Sequence, residues 1–268
     1  MMAKITIIGG GNLGTAIAEG LISSKHTKAS DITVTRRNVS LLDALKKQGV
    51  KIESDNSKAV KGAELILLCV KPFQIKDVVK EIAPSLHSKQ ILISVVSSVS
   101  IQDIEDILRK KQNESGMSIF RAMPNTAIAI SESMTCISYN NANSKQIQTV
   151  CQLFDKLGKT VVIEEKLMEA ATIIGACGTA FAMRYIRANI QGGIEIGFDA
   201  NTARTIVAQT VKGAADLLIK KGTHPEQEID KVTTPKGVTI TGLNEMEHNG
   251  LSSSLIKGIT EAYKKIGK

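Results

Sequence analysis

Gly9-Gly10-Gly11-Asn12-Leu13-Gly14 stands between two segments of different periodicity, and few folds accept that arrangement. Before it, residues 3–8 (AKITII) read as a short β-strand. After it, residues 12–24 place Leu13, Ile17, Ala18 and Leu21 at helical spacing. A strand that passes into a helix through glycines is the opening of a β-α-β unit. Gly9 permits the tight turn, Gly11 lets a pyrophosphate approach the backbone, and Gly14 lets helix and strand pack closely. The start of the helix then offers N–H groups and the positive end of its dipole to phosphate. The same spacing occurs in plain turns. Its position at a strand–helix junction is what points to a dinucleotide site.

The following pattern repeats the alternation. Residues 32–35, 50–53, 64–70 (ELILLCV), 90–96 (QILISVV) and 117–122 read as strands, separated by helical patterns over 41–48, 72–86 and 101–111. Nearly continuous apolar runs such as 64–70 suit parallel strands buried on both faces. A further pair of strands, 133–139 and 160–163, flanks a helix over 144–157 and extends the sheet. After Glu164 strand-like runs stop. Helical patterns cover 166–196, 202–220 and 252–266, and the first of these is apolar enough to be buried on most sides. The expectation is an α/β chain: an N-terminal Rossmann-like, doubly wound, mainly parallel sheet over 1–163, then an all-α domain over 164–268. The apolar helix is expected to find part of its cover in another subunit.

Composition excludes several function classes. At 268 residues, 43% hydrophobic and 22% charged, the chain is long and apolar enough to bury a core, which excludes global disorder. Five Phe, three Tyr and no Trp leave little to stack bases on. The +8 charge suits an anionic partner, but its lysines are spread along the chain, so nucleic acid is not an expected partner. Four scattered cysteines and four isolated histidines have no metal-ligand spacing. No signal-peptide or membrane-span pattern is present, so a cytoplasmic location is expected.

The end of the second strand bears on which dinucleotide is bound. NAD sites usually place Asp or Glu there, on the ribose hydroxyls. This chain has Thr35-Arg36-Arg37-Asn38. A guanidinium suits a 2′-phosphate, which favours NADP(H) and leaves NAD(H) as an option; a solvated surface pair is the plainer reading. Val70-Lys71-Pro72 follows the fourth strand and faces the same crevice, since ligands lie outside the carboxyl ends of parallel strands. Arg121-Ala122-Met123-Pro124-Asn125 ends the sixth strand on that rim, and Asn56 follows the third, within reach of the adenosine ribose.

These motifs, together with SDN (54–56), CVKP (69–72), RAMPNT (121–126) and DKVTTPKGVTITGLNEME (230–247), resemble the pyrroline-5-carboxylate reductases from the first strand to the last helix. The last two segments are the specific ones. The resemblance implies NADPH or NADH bound through Gly9, Gly11, Asn12, Leu13 and Gly14, with Thr35, Arg36, Arg37, Asn56, Val70, Lys71, Pro72, Met123, Pro124 and Asn125 along the cofactor. It implies a homodimer through the helical domain, in some members assembled into larger rings such as a decamer. It also implies that the loop 232–241 (Val232, Thr234, Lys236, Gly237, Val238 and Thr239) cradles the carboxylate of a small cyclic imino acid. The Thr239 hydroxyl would then lie near the ring nitrogen as the catalytic group. Reduction of an imine needs a hydride at carbon and a proton at nitrogen, so orientation and carboxylate capture are the protein's main tasks.

The chain departs from that family in three places. Lys236 stands where the first of two glycines follows the proline; it either strains the turn or adds a cation beside the carboxylate. Residues 175–181 (GACGTAF) lack the hydroxyls and proline usual there, and Arg187 stands where an acidic residue is common. The expected activity is NADPH-dependent reduction of 1-pyrroline-5-carboxylate to L-proline. Two alternatives fit the departures: a paralogue acting on another cyclic imine or small carbonyl acid, and a catalytically silent NADP(H)-binding relative.

Overall fold

The computed structural model describes residues 3–110 and 116–266. Lys111, the end of the helix expected over 101–111, lies outside the described residues. The chain divides into two compact units, one running to Cys177 and the other spanning Gly178–Lys265.

The first unit is built on one sheet. Its strands are β1 (Ile5–Ile8), β2 (Ile32–Thr35), β3 (Lys51–Glu53), β4 (Leu65–Leu68), β5 (Ile91–Ser94), β6 (Ser118–Met123), β7 (Ser133–Asn140) and β8 (Gly158–Val162). They lie in the order β3-β2-β1-β4-β5-β6-β7-β8. The order reverses between β1 and β4, which is the switch point of a doubly wound sheet. Every neighbouring pair is parallel except β6–β7. The β6–β7 connection holds only a short 3-10 turn, Thr126–Ile130, too little chain for the crossover that a parallel pair requires.

Helices cover both faces. α1 (Asn12–Ser23), α2 (Asp43–Lys47) and α6 (Ser144–Asp155) pack Ile17, Leu21, Leu45, Val150 and Phe154 against Ile5, Ile7, Val34, Leu67 and Phe120. On the other face α4 (Ile75–Ile82) and α5 (Ile101–Arg109) set Val79, Ile82, Ile104 and Leu108 against Ile8, Ile66, Leu68, Leu92 and Ile119. α3 (Asn56–Ala59) is a single turn after β3. The helix expected over 72–86 is shorter than its pattern. It begins as a 3-10 turn at Pro72–Gln74 and ends as another at Ala83–Ser85, where Pro84 has no N–H to continue the α-helical ladder.

Strands end just before the change of pattern at Glu164, but the compact units part later. A 3-10 turn (Glu165–Leu167), α7 (Met168–Ala171) and a π-helical segment (Thr172–Cys177) stay with the sheet. Met168 is fully buried against Met123 and Cys136, with Ile163, Ala171 and Ala176 packed around them. The single helix expected over 166–196 is thereby broken, and its second half differs from expectation in burial too. α8 (Gly178–Glu195) has no buried residue, and Met183 is 61% exposed. Phe181, Ile186 and Ile190 on it are only partly buried among the described residues.

The second unit contains α8, α9 (Ala200–Lys221), α10 (Pro225–Asp230), α11 (Val238–His248) and α12 (Leu251–Ile266). α8 and α9 approach closely at Gly193, where a Cβ would stand 3.2 Å from that of Ala203. Asp199 caps α9 by accepting from the N–H groups of Asn201 and Thr202, and Gly222 ends it in the left-handed region. Among the described residues no helix is long and apolar enough to cross a membrane.

Candidate active site

The glycine turn has the shape its sequence requires. Gly9 adopts φ +104°, and a Cβ there would stand 2.5 Å from the Cys69 carbonyl oxygen at the end of β4. A Cβ at Gly14 would collide with the Gly9 carbonyl oxygen. Gly11 is different: a Cβ there would meet nothing within 4 Å, so its open side faces away from the protein. Gly11 is also the N-cap of α1 and supplies no side-chain acceptor to the first N–H groups of the helix. Those donors, at Asn12 and Leu13, remain for a ligand. The cradle therefore fits the pyrophosphate of a dinucleotide.

β2 is tied to this turn. The N–H groups of Gly9 and Gly10 donate to the Thr35 carbonyl at 3.2 and 2.7 Å. Arg36 Nη1 donates to the Gly10 carbonyl at 2.7 Å. Arg37 and Asn38 are exposed beside it. One of the five guanidinium N–H groups of Arg36 thus supports the turn, and the rest of its fork stays at the end of β2 with Arg37. The Thr35 hydroxyl donates to Asn56 Oδ1 at 2.6 Å, and Asn56 Nδ2 donates to Glu81 Oε2 at 3.0 Å. The Asn56 carboxamide thus joins β2 to the end of α4. The sequence reading did not include Glu81 in this group.

Val70, Lys71 and Pro72 lie next to the glycines: a Cβ on Gly9 would come within 3.1 Å of Val70 Cγ1. Lys71 and Pro72 are exposed, and the Lys71 N–H is satisfied by Gln74 Oε1 at 3.1 Å. Met123 is buried and Pro124 follows it. Asn125 is engaged at both ends of its carboxamide, accepting from the Ala127 N–H and donating to the Gly175 carbonyl at 3.2 Å. It ties the rim after β6 to the π-helical segment.

Arg121, expected on the rim, is instead 3% exposed inside the fold and paired with Glu165 at 3.3 Å. Neither Glu165 nor the π-helical segment is legible from periodicity. A cavity of about 260 Å³ opens beside Lys4, Asp31, Lys51 and Lys58, at the opposite ends of β1–β3 from the glycine turn. It shares no residue with that turn.

In the second unit, Thr234-Pro235-Lys236-Gly237 is a tight turn closed by the Gly237 N–H on the Thr234 carbonyl at 2.9 Å. Proline at the second position and positive φ at the third are the marks of a type II turn, whose third position favours glycine. Lys236 holds it at φ +59°. Gly237 then caps α11 with no side-chain acceptor, leaving the N–H groups of Val238 and Thr239 pointing out of the helix start. Val232, Thr234, Lys236 and Val238 are exposed, and Thr239 is half-buried in the first turn of α11.

Comparison with known proteins places this geometry. A family model described as pyrroline-5-carboxylate reductase dimerisation matches residues 165–268. A second, described as NADP oxidoreductase, coenzyme F420-dependent, matches residues 4–98. Pyrroline-5-carboxylate reductase 1 of Dictyostelium discoideum is 44% identical over 97% of this chain. The chain spans about half (49%) of that relative's length. Pyrroline-5-carboxylate reductase 2 of the same organism is 41% identical over 99% of this chain and 92% of its own. Among solved structures, the Plasmodium falciparum pyrroline carboxylate reductase with NADP bound aligns with TM-score 0.86 and 26% identity, covering 99% of this chain and 97% of its own. The Coxiella burnetii pyrroline-5-carboxylate reductase aligns with TM-score 0.90 and 29% identity, covering 99% and 98%. The chain belongs to the pyrroline-5-carboxylate reductase family of NAD(P)H-dependent oxidoreductases.

Proposed function

We propose that the chain reduces 1-pyrroline-5-carboxylate to L-proline with NADPH, the closing step of proline biosynthesis. The observation that carries the proposal is the open, uncapped Gly11 turn into α1 on a chain of this family. Residues 1–163 are taken as the cofactor domain and 164–268 as the substrate and dimerisation domain, a division supported by the family match that begins at residue 165.

The bound nicotinamide supplies the hydride to the imine carbon. The chain's own residues bind and orient. The α1 N–H groups at Asn12 and Leu13 hold the pyrophosphate. Arg36 and Arg37 face the 2′-phosphate, and a planar multi-donor group suits it better than a lysine would. Backbone N–H groups at the start of α11 hold the substrate carboxylate, as helix starts hold anions generally. The Thr239 hydroxyl, in the first turn of that helix, hydrogen-bonds the ring nitrogen that gains the proton. The helical domain pairs two copies of the chain, and rings of such dimers, a decamer among them, are the larger assembly.

A steady-state assay of NADPH oxidation with 1-pyrroline-5-carboxylate tests the proposal, with NADH alongside and complementation of a proline auxotroph as the second arm. Turnover with NADPH preferred is expected. Absence of both turnover and complementation would overturn it. A second reading, another cyclic imine or small carbonyl acid, is favoured by the positive φ of Lys236. It predicts a clear preference for a different ring in a substrate panel.

A further inference from the structure

The face of the sheet under α4 and α5 is mostly apolar; Thr6 on β1 is met there by the Ala59 carbonyl, and one further polar row crosses β5, β6 and β7. Ser94, Arg121 and Ser138 are lateral partners on β5, β6 and β7, and all three are buried. A guanidinium in such surroundings is costly unless its charge and its donors are met. Arg121 meets its charge through Glu165 Oε1 at 3.3 Å, while its Nε and Nη2 have no partner among the described residues. The Ser138 hydroxyl beside it has none either. A buried cation kept in a strand with donors unmet is a departure from ordinary core design, and such departures collect where function requires them.

The connections of this pair indicate the requirement. Glu165 Oε1 also accepts the Ile101 N–H at 2.6 Å, the first donor of α5. α5 follows the turn that leaves β5. Arg121 lies two residues before Met123, where β6 turns into the rim at Pro124 and Asn125. The carboxylate of Asp103, in the first turn of α5, lies in the field of the same guanidinium. One ion pair therefore spans the turns that leave β5 and β6, both at the carboxyl edge where a doubly wound sheet takes its ligand.

We propose that Arg121 and Glu165 are positioning residues for the cofactor: their ion pair sets the spacing of the β5 and β6 rim turns on which the dinucleotide rests. Neither touches the cofactor. The inference rests on the NADPH-binding reading above. The pair acts on cofactor affinity before chemistry, so NADPH binding to the full-length enzyme without substrate is the first readout.

The experiment compares Glu165→Gln, Arg121→Met, Arg121→Lys and the double variant Arg121→Met/Glu165→Gln. NADPH dissociation constants come from fluorescence titration, alongside KM, kcat and Tm. Each single neutralising variant is expected to weaken NADPH about tenfold and to raise its KM more than it lowers kcat, the pattern of lost ground-state binding. Arg121→Lys, which keeps the charge, is expected to recover part of the affinity. The double variant removes both charges together and is expected to regain Tm without regaining affinity. A double variant that recovers NADPH affinity along with Tm would overturn the proposal, because the pair would then matter for stability alone. Unchanged affinity in folded Glu165→Gln would overturn it too. Failure of the unaltered chain to bind NADPH would instead refute the reading on which it rests.

Discussion

Arg36 Nη1 donates to the carbonyl oxygen of Gly10 at 2.7 Å, so the residue that follows β2 braces the turn that follows β1. Arg36 and Arg37 therefore differ in kind, although they are adjacent. Arg36→Ala removes both the brace and a cation, and is expected to raise KM for NADH and, more strongly, for NADPH. Arg37→Ala removes only an exposed cation; it is expected to raise KM for NADPH about tenfold, the worth of a charge-assisted hydrogen bond, with little change for NADH. Steady-state kinetics with both cofactors decides this, and equal losses for Arg37→Ala would refute the 2′-phosphate assignment.

Gly9 and Gly11 should separate folding from binding. Gly9→Ala puts a methyl against the Cys69 carbonyl at φ +104°, so a loss of more than about 1 kcal/mol in denaturant unfolding is expected. Gly11→Ala meets no protein atom within 4 Å, and its φ of −84° is ordinary for alanine. Its stability should be near that of the unaltered chain, while NADPH titration shows clear weakening, because the methyl occupies the phosphate's approach.

Lys236→Gly removes an L-residue from φ +59°. Left-handed backbone costs such a residue about 1–2 kcal/mol, and glycine gives back about 0.5–1 kcal/mol of that in chain entropy. A net gain of about 0.5–1 kcal/mol in urea unfolding is expected. A loss would show that the lysine side chain stabilises the turn by more than its strain.

Asp103 is one of the carboxylates that contribute to the acid dependence of stability. The Ser100 hydroxyl and then the Ser100 N–H bond its carboxylate, and the Arg121 charge adds to them, holding the carboxyl below its usual range. A depressed carboxyl stabilises the fold above its unfolded value and loses that contribution as pH falls through the folded one. Asp103→Asn is expected to cost about 1 kcal/mol at pH 7, the worth of a helix cap. The difference from the unaltered chain should shrink as unfolding is followed from pH 5 towards pH 3.

Met183 stands 61% exposed on α8. Met183→Glu is expected to shift the molar mass from light scattering towards that of a single chain. A mass equal to that of the unaltered protein would place the pairing face elsewhere on the helical unit.

The doubly wound sheet was legible because its signals are local. Apolar runs such as 64–70 and 90–96 have the length and texture of buried parallel strands, and Gly9 to Gly14 lie at the junction where a dinucleotide turn belongs. The segment 232–241 stands out as a loop through its resemblance to the family; the structure ends that turn at Gly237 and begins α11 at Val238. Helix ends were less legible. The pattern over 72–86 shows an apolar stripe but hides how far Pro84 breaks it.

Pairings between distant segments were beyond the sequence. Arg121 reads as a rim residue because it ends an apolar strand beside Met123 and Pro124. Its burial depends on which face of β6 it occupies and on a carboxylate 44 residues further along the chain. Asn56 reads as a ribose contact, and the sequence did not show that its carboxamide also joins Thr35 to Glu81. Local periodicity records which residues an element buries, since burial follows the repeat of the element itself. It carries no record of which buried polar groups meet, because that is set when strands and helices from separate parts of the chain are brought into register.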